Sequence, residues 1–273
     1  MIANQSQRAQ QFIDLHHQSL FVLPNIWNGG SAKVFEKNGF PALATTSAGI
    51  AYALGYDDGE ELPFDSLLWV VKQITSRIEL PLSVDFERGY NESPKEVKDN
   101  ARQLLQAGAV GLNIEDGLAN RTIDPPHLIK EKLQAIHSLK SELNINFVIN
   151  ARTDIYWHNL EDDQKKLKIA IERGNQFAEW GADCVFIPGQ LSYDTIATLV
   201  KEIPLPLNVI LSDTSDDYQR LNEIGVKRLS TGSSIARQVL TNLIKLANKT
   251  QSNQFDSLLH HNLSYKEAND YFL

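Results

Sequence analysis

Cysteine is almost absent from this chain. Cys184 is the only one, so no intrachain disulfide can staple the fold, and a reducing, cytoplasmic compartment is the natural expectation. Long apolar runs are missing too: none is long enough to span a bilayer, and the opening MIANQSQRAQQFIDLHHQSL lacks the apolar centre of a secretory leader. No membrane partner is therefore expected. Basic residues are in the minority, 26 Lys and Arg against 34 Asp and Glu, for a net charge of −8. Surfaces that bind nucleic acid gather Lys and Arg against phosphate, so no nucleic-acid partner is expected either, and the acid excess is explained by solubility alone. Pro/Gly-rich breaks and low-complexity linkers are also lacking. The expectation is one domain over residues 1–273, with a helical extension from about residue 248.

What the sequence has instead is a recurring alternation. Short apolar, β-branched runs stand at Phe21–Leu23, Ala42–Thr45, Leu82–Phe86, Gly111–Glu115, Phe147–Asn150, Cys184–Ile187, Leu207–Leu211 and Val226–Leu229. Each is too apolar for a half-exposed antiparallel strand and suits a buried parallel one. Amphipathic stretches lie between them. In Pro94–Gln106, Ser93 can cap, Pro94 suits the first turn, and Val97, Ala101, Leu104 and Leu105 share a face. Gly108, Gly181 and Gly225 are placed to stop helices before the next strand. The longest helix is expected within Thr153–Glu179, with shorter ones at Ser192–Glu202 and Ser215–Glu223. Eight strand–helix units in 273 residues predict an α/β fold, a (β/α)8 TIM barrel, rather than an open doubly wound sheet. Phe255, Leu258, Leu259, Leu263, Tyr265, Tyr271 and Phe272 make the tail too apolar to be free, so it is expected to pack on the barrel or on a neighbouring subunit.

Chemistry in such barrels sits at the C-terminal strand ends, and here several predicted strands end in polar residues: Asp85-Phe86-Glu87-Arg88, Asn113-Ile114-Glu115-Asp116 and Asn150-Ala151-Arg152-Thr153-Asp154. Strand alternation would point Asp85 and Glu87 to one side of the sheet, with Glu115 arriving from the adjacent strand. Three converging carboxylates repel unless a cation lies among them. No His or Cys accompanies them, so a hard, oxygen-liganded ion is implied, Mg2+ before Mn2+. The bland alternative is that these acids cap helices or pair with Arg88 and Lys95. Arg152 is suited to bind a substrate carboxylate bidentately and to stabilise an oxyanion, or else to pair with Asp154 or Glu115. Asn208 is either a donor to substrate or a satisfied polar residue within the barrel. The small residues around Thr46, Ser47, Ala48 and Gly49 allow a backbone nest for an anion, or simply a tight turn. Asp58 alone is an ordinary loop acid.

Together these segments resemble the isocitrate lyase and phosphoenolpyruvate mutase superfamily, from Pro24-Asn25-Ile26-Trp27-Asn28 to about Gly232-Ser233. The resemblance is carried by Ser83-Val84-Asp85-Phe86-Glu87-Arg88-Gly89-Tyr90, Gly108-Ala109-Val110-Gly111-Leu112-Asn113-Ile114-Glu115-Asp116-Gly117, Asn150-Ala151-Arg152-Thr153-Asp154 and Gly181-Ala182-Asp183. It implies a magnesium-dependent barrel enzyme, often tetrameric with its eighth helix exchanged between subunits, that stabilises an enolate while a C–C or P–C bond is broken or made. Asp85 would then be the direct metal ligand, with Asp58, Glu87 and Glu115 acting through water. Arg152, Asp58 and Glu115 would form the catalytic group, and Thr46, Ser47, Ala48, Arg152 and Asn208 would hold a small carboxylate substrate. A homo-oligomer, dimer or tetramer, is implied as well.

Three departures narrow the reading. Glu87 stands where the family usually has Asp. The lyases' Lys-Cys-Gly-His loop is replaced by Gly117-Leu118-Ala119-Asn120-Arg121-Thr122-Ile123-Asp124. An acid or histidine near the end of the sixth strand is replaced by Ile187-Pro188-Gly189. Cys184, inside a strand, is expected to be a buried hydrophobe. Isocitrate-type cleavage through a cysteine is thus not expected. Chemistry on an oxaloacetate-like or phosphonopyruvate-like 2-oxo acid remains, with Tyr52, Tyr90 or a water supplying protons. The alternative is a barrel that binds such a metabolite without turnover, as a sensor or assembly partner.

Overall fold

A computed structural model describes residues 2–158, 161–260 and 262–272. Its strands are β1 (Phe21–Leu23), β2 (Asn25–Ile26), β3 (Leu43–Thr45), β4 (Leu82–Asp85), β5 (Gly111–Glu115), β6 (Val148–Arg152), β7 (Cys184–Phe186), β8 (Leu207–Ile210) and β9 (Arg228–Ser230). They run in the order β1-β9-β8-β7-β6-β5-β4-β3-β2, and neighbours pair in parallel throughout. β1 and β2 are one stave interrupted at Pro24, which has no N–H to contribute. β1 bonds to β9 while β2 bonds to β3, so the broken stave joins the two ends of the sheet into the expected α/β barrel.

Asn25 is the clasp of that junction. Its backbone N–H donates to Thr231 Oγ1 at 2.9 Å, its Nδ2 to the Thr45 carbonyl at 2.8 Å, and its Oδ1 accepts from Gly232 N–H at 2.9 Å. One amide side chain thus ties the end of β9 to the end of β3.

The strands are apolar because both faces are covered. Leu43, Val84, Leu112, Ile114, Ile149, Val185 and Val209 are fully buried. The helix Ile2–His16 adds a cover to the fold: Gln5 Nε2 donates to the carbonyls of Leu105 and Ala109, and Phe12 lies so close to Gly111 that a Cβ there would stand 2.7 Å from its ring. The helix Pro94–Gln106 forms as expected, with Val97, Ala101, Leu104 and Leu105 buried, although the Ser93 side chain makes no capping bond. Gly108, Gly181 and Gly225 take positive φ of 107°, 95° and 102°, the left-handed backbone that ends a helix without strain only at glycine.

One expectation changes. The longest helix is not Asp163–Glu179, of 17 residues, but Ser234–Gln251, of 18. The tail forms short helices Asp256–Leu259 and Tyr265–Asp270, held by Lys37 Nζ on the Asp270 carbonyl at 2.8 Å. Phe255, Leu258, Leu259, Leu263, Tyr265 and Phe272 are exposed, and Leu273 lies outside the described residues. Among the described residues no helix is long and apolar enough to cross a membrane.

Candidate active site at the mouth of the barrel

Two small cavities open at the C-terminal ends of the strands. The inner one, about 90 Å³, is lined by Thr46, Ser47, Ala48, Asp58, Asp85, Asn113 and Arg152, among others. The outer one, about 220 Å³, is lined by Asp58, Glu60, Glu87, Glu115, Arg152, Asp154 and His158, among others. Ser47, Asp58, Arg152 and Trp157 line both. Asp85 and Arg152, which the sequence placed at neighbouring strand ends, therefore share one cavity.

Asp85 is the last residue of β4 and is only 8 % exposed. Its Oδ2 accepts the Ser47 amide at 3.3 Å and its Oδ1 the Asn113 amide nitrogen at 3.4 Å. Among the described residues it forms no direct ion pair, although Arg152 and Arg228 both feel its charge. Arg88 does not supply one, because its guanidinium is taken by Glu92 at 2.7 Å and Asp124 at 3.2 Å. The pairing of these acids with Arg88 is therefore not what the fold adopts.

Glu87 reaches the site by a different route from the one expected. β4 ends at Asp85, so strand alternation does not aim Glu87; its backbone is left-handed, with φ 50°. The turn is held by reciprocal bonds. Glu87 Oε2 accepts the Glu60 amide at 2.8 Å, and Glu60 Oε1 accepts the amides of Arg88 and Tyr90 at 2.9 and 2.8 Å. The Tyr90 hydroxyl donates to Glu87 Oε1 at 2.6 Å. Burial, opposed by that hydrogen bond but helped by Asp85, Asp58 and Glu60, pushes the Glu87 carboxyl up to about 8. Tyr90 and Tyr52, both considered as proton donors, line neither cavity; Tyr90 is spent on Glu87.

Arg152 ends β6, two residues beyond the predicted end of that strand. It pairs with both acids of its bland alternative: NH1 lies 2.7 Å from Glu115 Oε2, and Nε and NH2 bind Asp154 at 2.6 and 3.0 Å. Burial opposes its charge, but Asp154 and Glu115 outweigh burial and hold the guanidinium well above its ordinary value. Burial also dominates at Glu115 and, with Asp154, Asp85 and Glu87, pushes it up against the pull of Arg152. Arg152 is thus pre-oriented and still lines both cavities, with Phe186 and Trp157 rings 5.7 and 5.9 Å from it.

The Thr46-Ser47-Ala48 segment is a helix start rather than an open nest. The Thr46 hydroxyl caps Ser47–Leu54 by accepting the Gly49 amide at 3.2 Å, and the Ser47 amide is taken by Asp85. The smallness of Gly49 is a packing need: a Cβ there would stand 2.5 Å from Thr46 Cγ2 and 3.1 Å from both Ala236 and Trp27. Asn208 lies below the mouth, fully buried, accepting from the Ser230 hydroxyl at 3.1 Å, and lines neither cavity. Its place is the polar interior of the barrel, where Asn150 donates to Asn113 at 2.7 Å and Arg228 to the same oxygen at 3.3 Å.

The segment that replaces the lyase loop is a pinned hairpin. Gly117 bridges Ile123, Leu118 N–H donates to the Thr122 carbonyl at 2.9 Å, and Asp124 N–H donates to the Asp116 carbonyl at 2.7 Å. Gly117 packs against the Asp154 carboxylate where no side chain would fit. After β7, Ile187 is buried and Pro188 lines the inner cavity, so no proton carrier enters there. Cys184 is buried, and desolvation pushes its thiol up to about 12.

Sequence reasoning did not single out Glu60, Asn113, Trp157 or His158. Asn113 carried a signal, a polar residue within a strand facing Asp85 in register. The other three lie outside strands and carried none. His158 lines the outer cavity with Nε2 4.0 Å from Asp154 Oδ2.

Could the acids hold an ion? Among the described residues no three His, Cys, Asp or Glu side chains are grouped so as to ligate one directly. Yet Asp85, Asp58, Glu87 and Glu115 line adjoining cavities, and each of Glu87 and Glu115 feels the charge of Asp85. One carboxylate without a direct counter-ion, with further acids lining the adjoining cavity, fits magnesium, which retains much of its hydration.

The family model described as phosphoenolpyruvate phosphomutase matches residues 12–251. An uncharacterized protein of Mycobacterium tuberculosis is 36% identical over 223 residues, 81% of each chain. A protein of Burkholderia cenocepacia provisionally described as a lyase/mutase is 29% identical, with a TM-score of 0.90 over 99% of this chain and 97% of that one. Phosphonopyruvate hydrolase, crystallised with oxalate and Mg2+, shares the fold at a TM-score of 0.85 and 20% identity, over 97% of this chain and 94% of that one. The chain belongs to the phosphoenolpyruvate phosphomutase family, within the isocitrate lyase and phosphoenolpyruvate mutase superfamily of lyases and mutases.

Proposed function

We propose that this chain is a magnesium-dependent lyase- or mutase-type enzyme that breaks or rearranges a C–C or P–C bond of a small 2-oxo acid, oxaloacetate-like or phosphonopyruvate-like. The observation that carries the reading is Asp85, a buried carboxylate with no direct ion pair among the described residues, in a cavity shared with a pre-oriented Arg152. A buried carboxylate without a direct counter-ion is costly, and a divalent cation relieves it. Mg2+, or Mn2+ in its place, would be held by Asp85, with Asp58, Glu87 and Glu115 reached through water, and would supply Lewis-acid stabilisation of a developing enolate. The relative whose structure contains oxalate and Mg2+ supports that ligand chemistry.

The chain's own residues divide the remaining work. Arg152 faces the substrate carboxylate or enolate oxygen, and Asp154 and Glu115 fix its fork in place, so it does not reorganise as charge develops. Asn113, held from below by Asn150 and Arg228, orients Asp85. Thr46, Ser47 and Ala48 wall the inner cavity. Among the described cavity-lining residues His158 is the only imidazole, with Nε2 4.0 Å from Asp154 Oδ2, and it is the candidate proton carrier. Without a cysteine on the Gly117–Asp124 hairpin, cleavage by the cysteine route is not proposed.

A screen of oxaloacetate, malates and phosphonopyruvate for Mg2+-dependent product tests the proposal. We expect one class to turn over and Asp85→Ala to lose at least a thousandfold in kcat/KM. If no substrate of these classes reacts while they still bind, the reading of a metabolite-binding barrel without catalysis replaces it.

A further inference from the structure

A third and larger hollow, about 740 Å³, opens beside the inner cavity. The two share Trp157, Ile210 and Ser233 as lining residues, so they adjoin, with Trp157 and Ile210 between them. The inner chamber, about 90 Å³, accommodates a compact acid group and little else, whereas the outer volume lies within the range of sites that enclose a whole small ligand.

The outer chamber has its own chemistry. Arg237 extends along its wall from the first turn of Ser234–Gln251, and its guanidinium contacts only the hydroxyls of Ser233 and Ser234, at 3.2 and 3.3 Å. Among the described residues it forms no ion pair. The N-cap residue Ser233 makes no side-chain bond to the backbone amides of the first turn, so the positive end of an 18-residue helix faces the chamber uncapped. Lys166 also lines the chamber, 7 % exposed, and is paired with the exposed Asp163 at 2.7 Å. Asp213 is the one acid among the lining residues, against two cations. Trp157, Ile210 and Leu211 supply apolar wall, and Gly189 (φ 135°) lets the loop after β7 lie against Tyr156, where a Cβ would come within 2.9 Å.

We propose that this chamber is the subsite for a second arm of the substrate, one ending in an anionic group that Arg237, the Ser233 and Ser234 hydroxyls and the helix N-terminus receive. The inference rests on the reading of the inner cavity given above, and narrows its substrate to a 2-oxo acid with an extended, anion-terminated substituent. The 2-oxo acid head sits between Asp85 and Arg152; the arm passes Trp157 and Ile210; the terminal carboxylate or phosphate meets Arg237. A two- or three-carbon acid would leave the larger chamber unused.

Calorimetry with saturating Mg2+ and stable oxamates tests this. The probes are oxalate, N-butyloxamate with a neutral arm, N-oxalyl-4-aminobutyrate with a carboxylate arm, and N-oxalyl-2-aminoethyl phosphate with a phosphate arm. We expect at least one anionic arm to bind tenfold or more tighter than the neutral arm; which of the two does so identifies the terminal group. In Arg237→Ala that ratio should fall to about one, in Arg237→Glu below one, and Arg237→Lys should restore part of it. Arg237 is exposed and bonded only within its own helix, so these variants keep the fold, which circular dichroism checks. Oxalate binding with no preference for an anionic arm, or an undiminished preference in Arg237→Ala, overturns the subsite while leaving the inner site standing. Failure of oxalate itself to bind overturns the inner site and the subsite together.

Discussion

At the scale of single residues, charge is stored where water cannot reach. Arg228 is fully buried, has no carboxylate partner among the described residues, and reaches only Ser230 Oγ at 3.4 Å and Asn113 Oδ1 at 3.3 Å. Desolvation lowers it to about 10, which still leaves it cationic at neutral pH. His16, 3 % exposed, completes this buried corner. Its Nδ1–H donates to the Phe12 carbonyl at 2.7 Å, which fixes the tautomer. Burial, followed by the charge of Arg228, lowers its pKa from 6.5 to about 3. Between those two values the unfolded chain holds a proton that the folded chain refuses, so stability is full above pH 6.5 and falls as pH drops toward 3. The slope from this one group approaches about 1.4 kcal/mol per pH unit. Urea unfolding of wild type and His16→Gln between pH 7 and 4.5 should show the wild type losing more than 1 kcal/mol relative to the variant; parallel curves would show that His16 takes up its proton in place.

At the scale of elements, the loops that carry the site are fastened by side chains acting on backbone. Asn25 makes three such bonds across the stave interrupted at Pro24, two of them through its side chain. Replacing it with Ala leaves the Thr45 carbonyl and the Gly232 amide without these partners at about 1–3 kcal/mol each, so Asn25→Ala should lower stability by about 2–6 kcal/mol. Chemical denaturation measures it, and a loss under 1 kcal/mol would mean that pairing of β1 with β9 and of β2 with β3 closes the barrel unaided.

The strands were legible because both their faces are buried and their composition says so. Asp85 and Arg152 were legible because polar residues at the ends of apolar runs are conspicuous. Glu87 was found for a reason the fold does not use: a left-handed turn latched by Glu60, and not pleat alternation, presents it. Trp157, His158 and Arg237 were not legible. Loop and helix-start residues acquire neighbours only when the barrel brings distant strand ends together, and no local periodicity records that. Asn208 was balanced between two roles: its oxygen joins the interior network and it lines neither cavity, while its amide nitrogen has no partner among the described residues.

At the scale of the whole molecule, the described surface leaves an apolar helix face uncovered. Val239, Leu240, Leu243 and Ile244 on Ser234–Gln251 are 40–60 % exposed, and Leu259 and Leu263 of the tail are more so. An apolar face of that kind marks a contact surface, and a second copy of the chain is the cover to test first. Sedimentation should therefore give a mass at least twice 30.7 kDa, and Leu243→Glu should shift the protein toward the monomer. A wild-type monomer at micromolar concentration would leave the apolar face to some other partner. Because Arg237 stands on the first turn of the same helix, anchoring that helix would also steady the outer chamber.

The central claim is that a divalent cation on Asp85 and the guanidinium of Arg152 jointly hold an enolate-like anion. The most direct measurement is calorimetric titration of oxalate into the protein with and without Mg2+, in wild type and in Asp85→Ala. The account predicts binding at one site per chain that requires Mg2+ and is lost in the variant, with Arg152→Ala weakening it at least a hundredfold. Oxalate binding of equal strength without metal, or unchanged in Asp85→Ala, would contradict it.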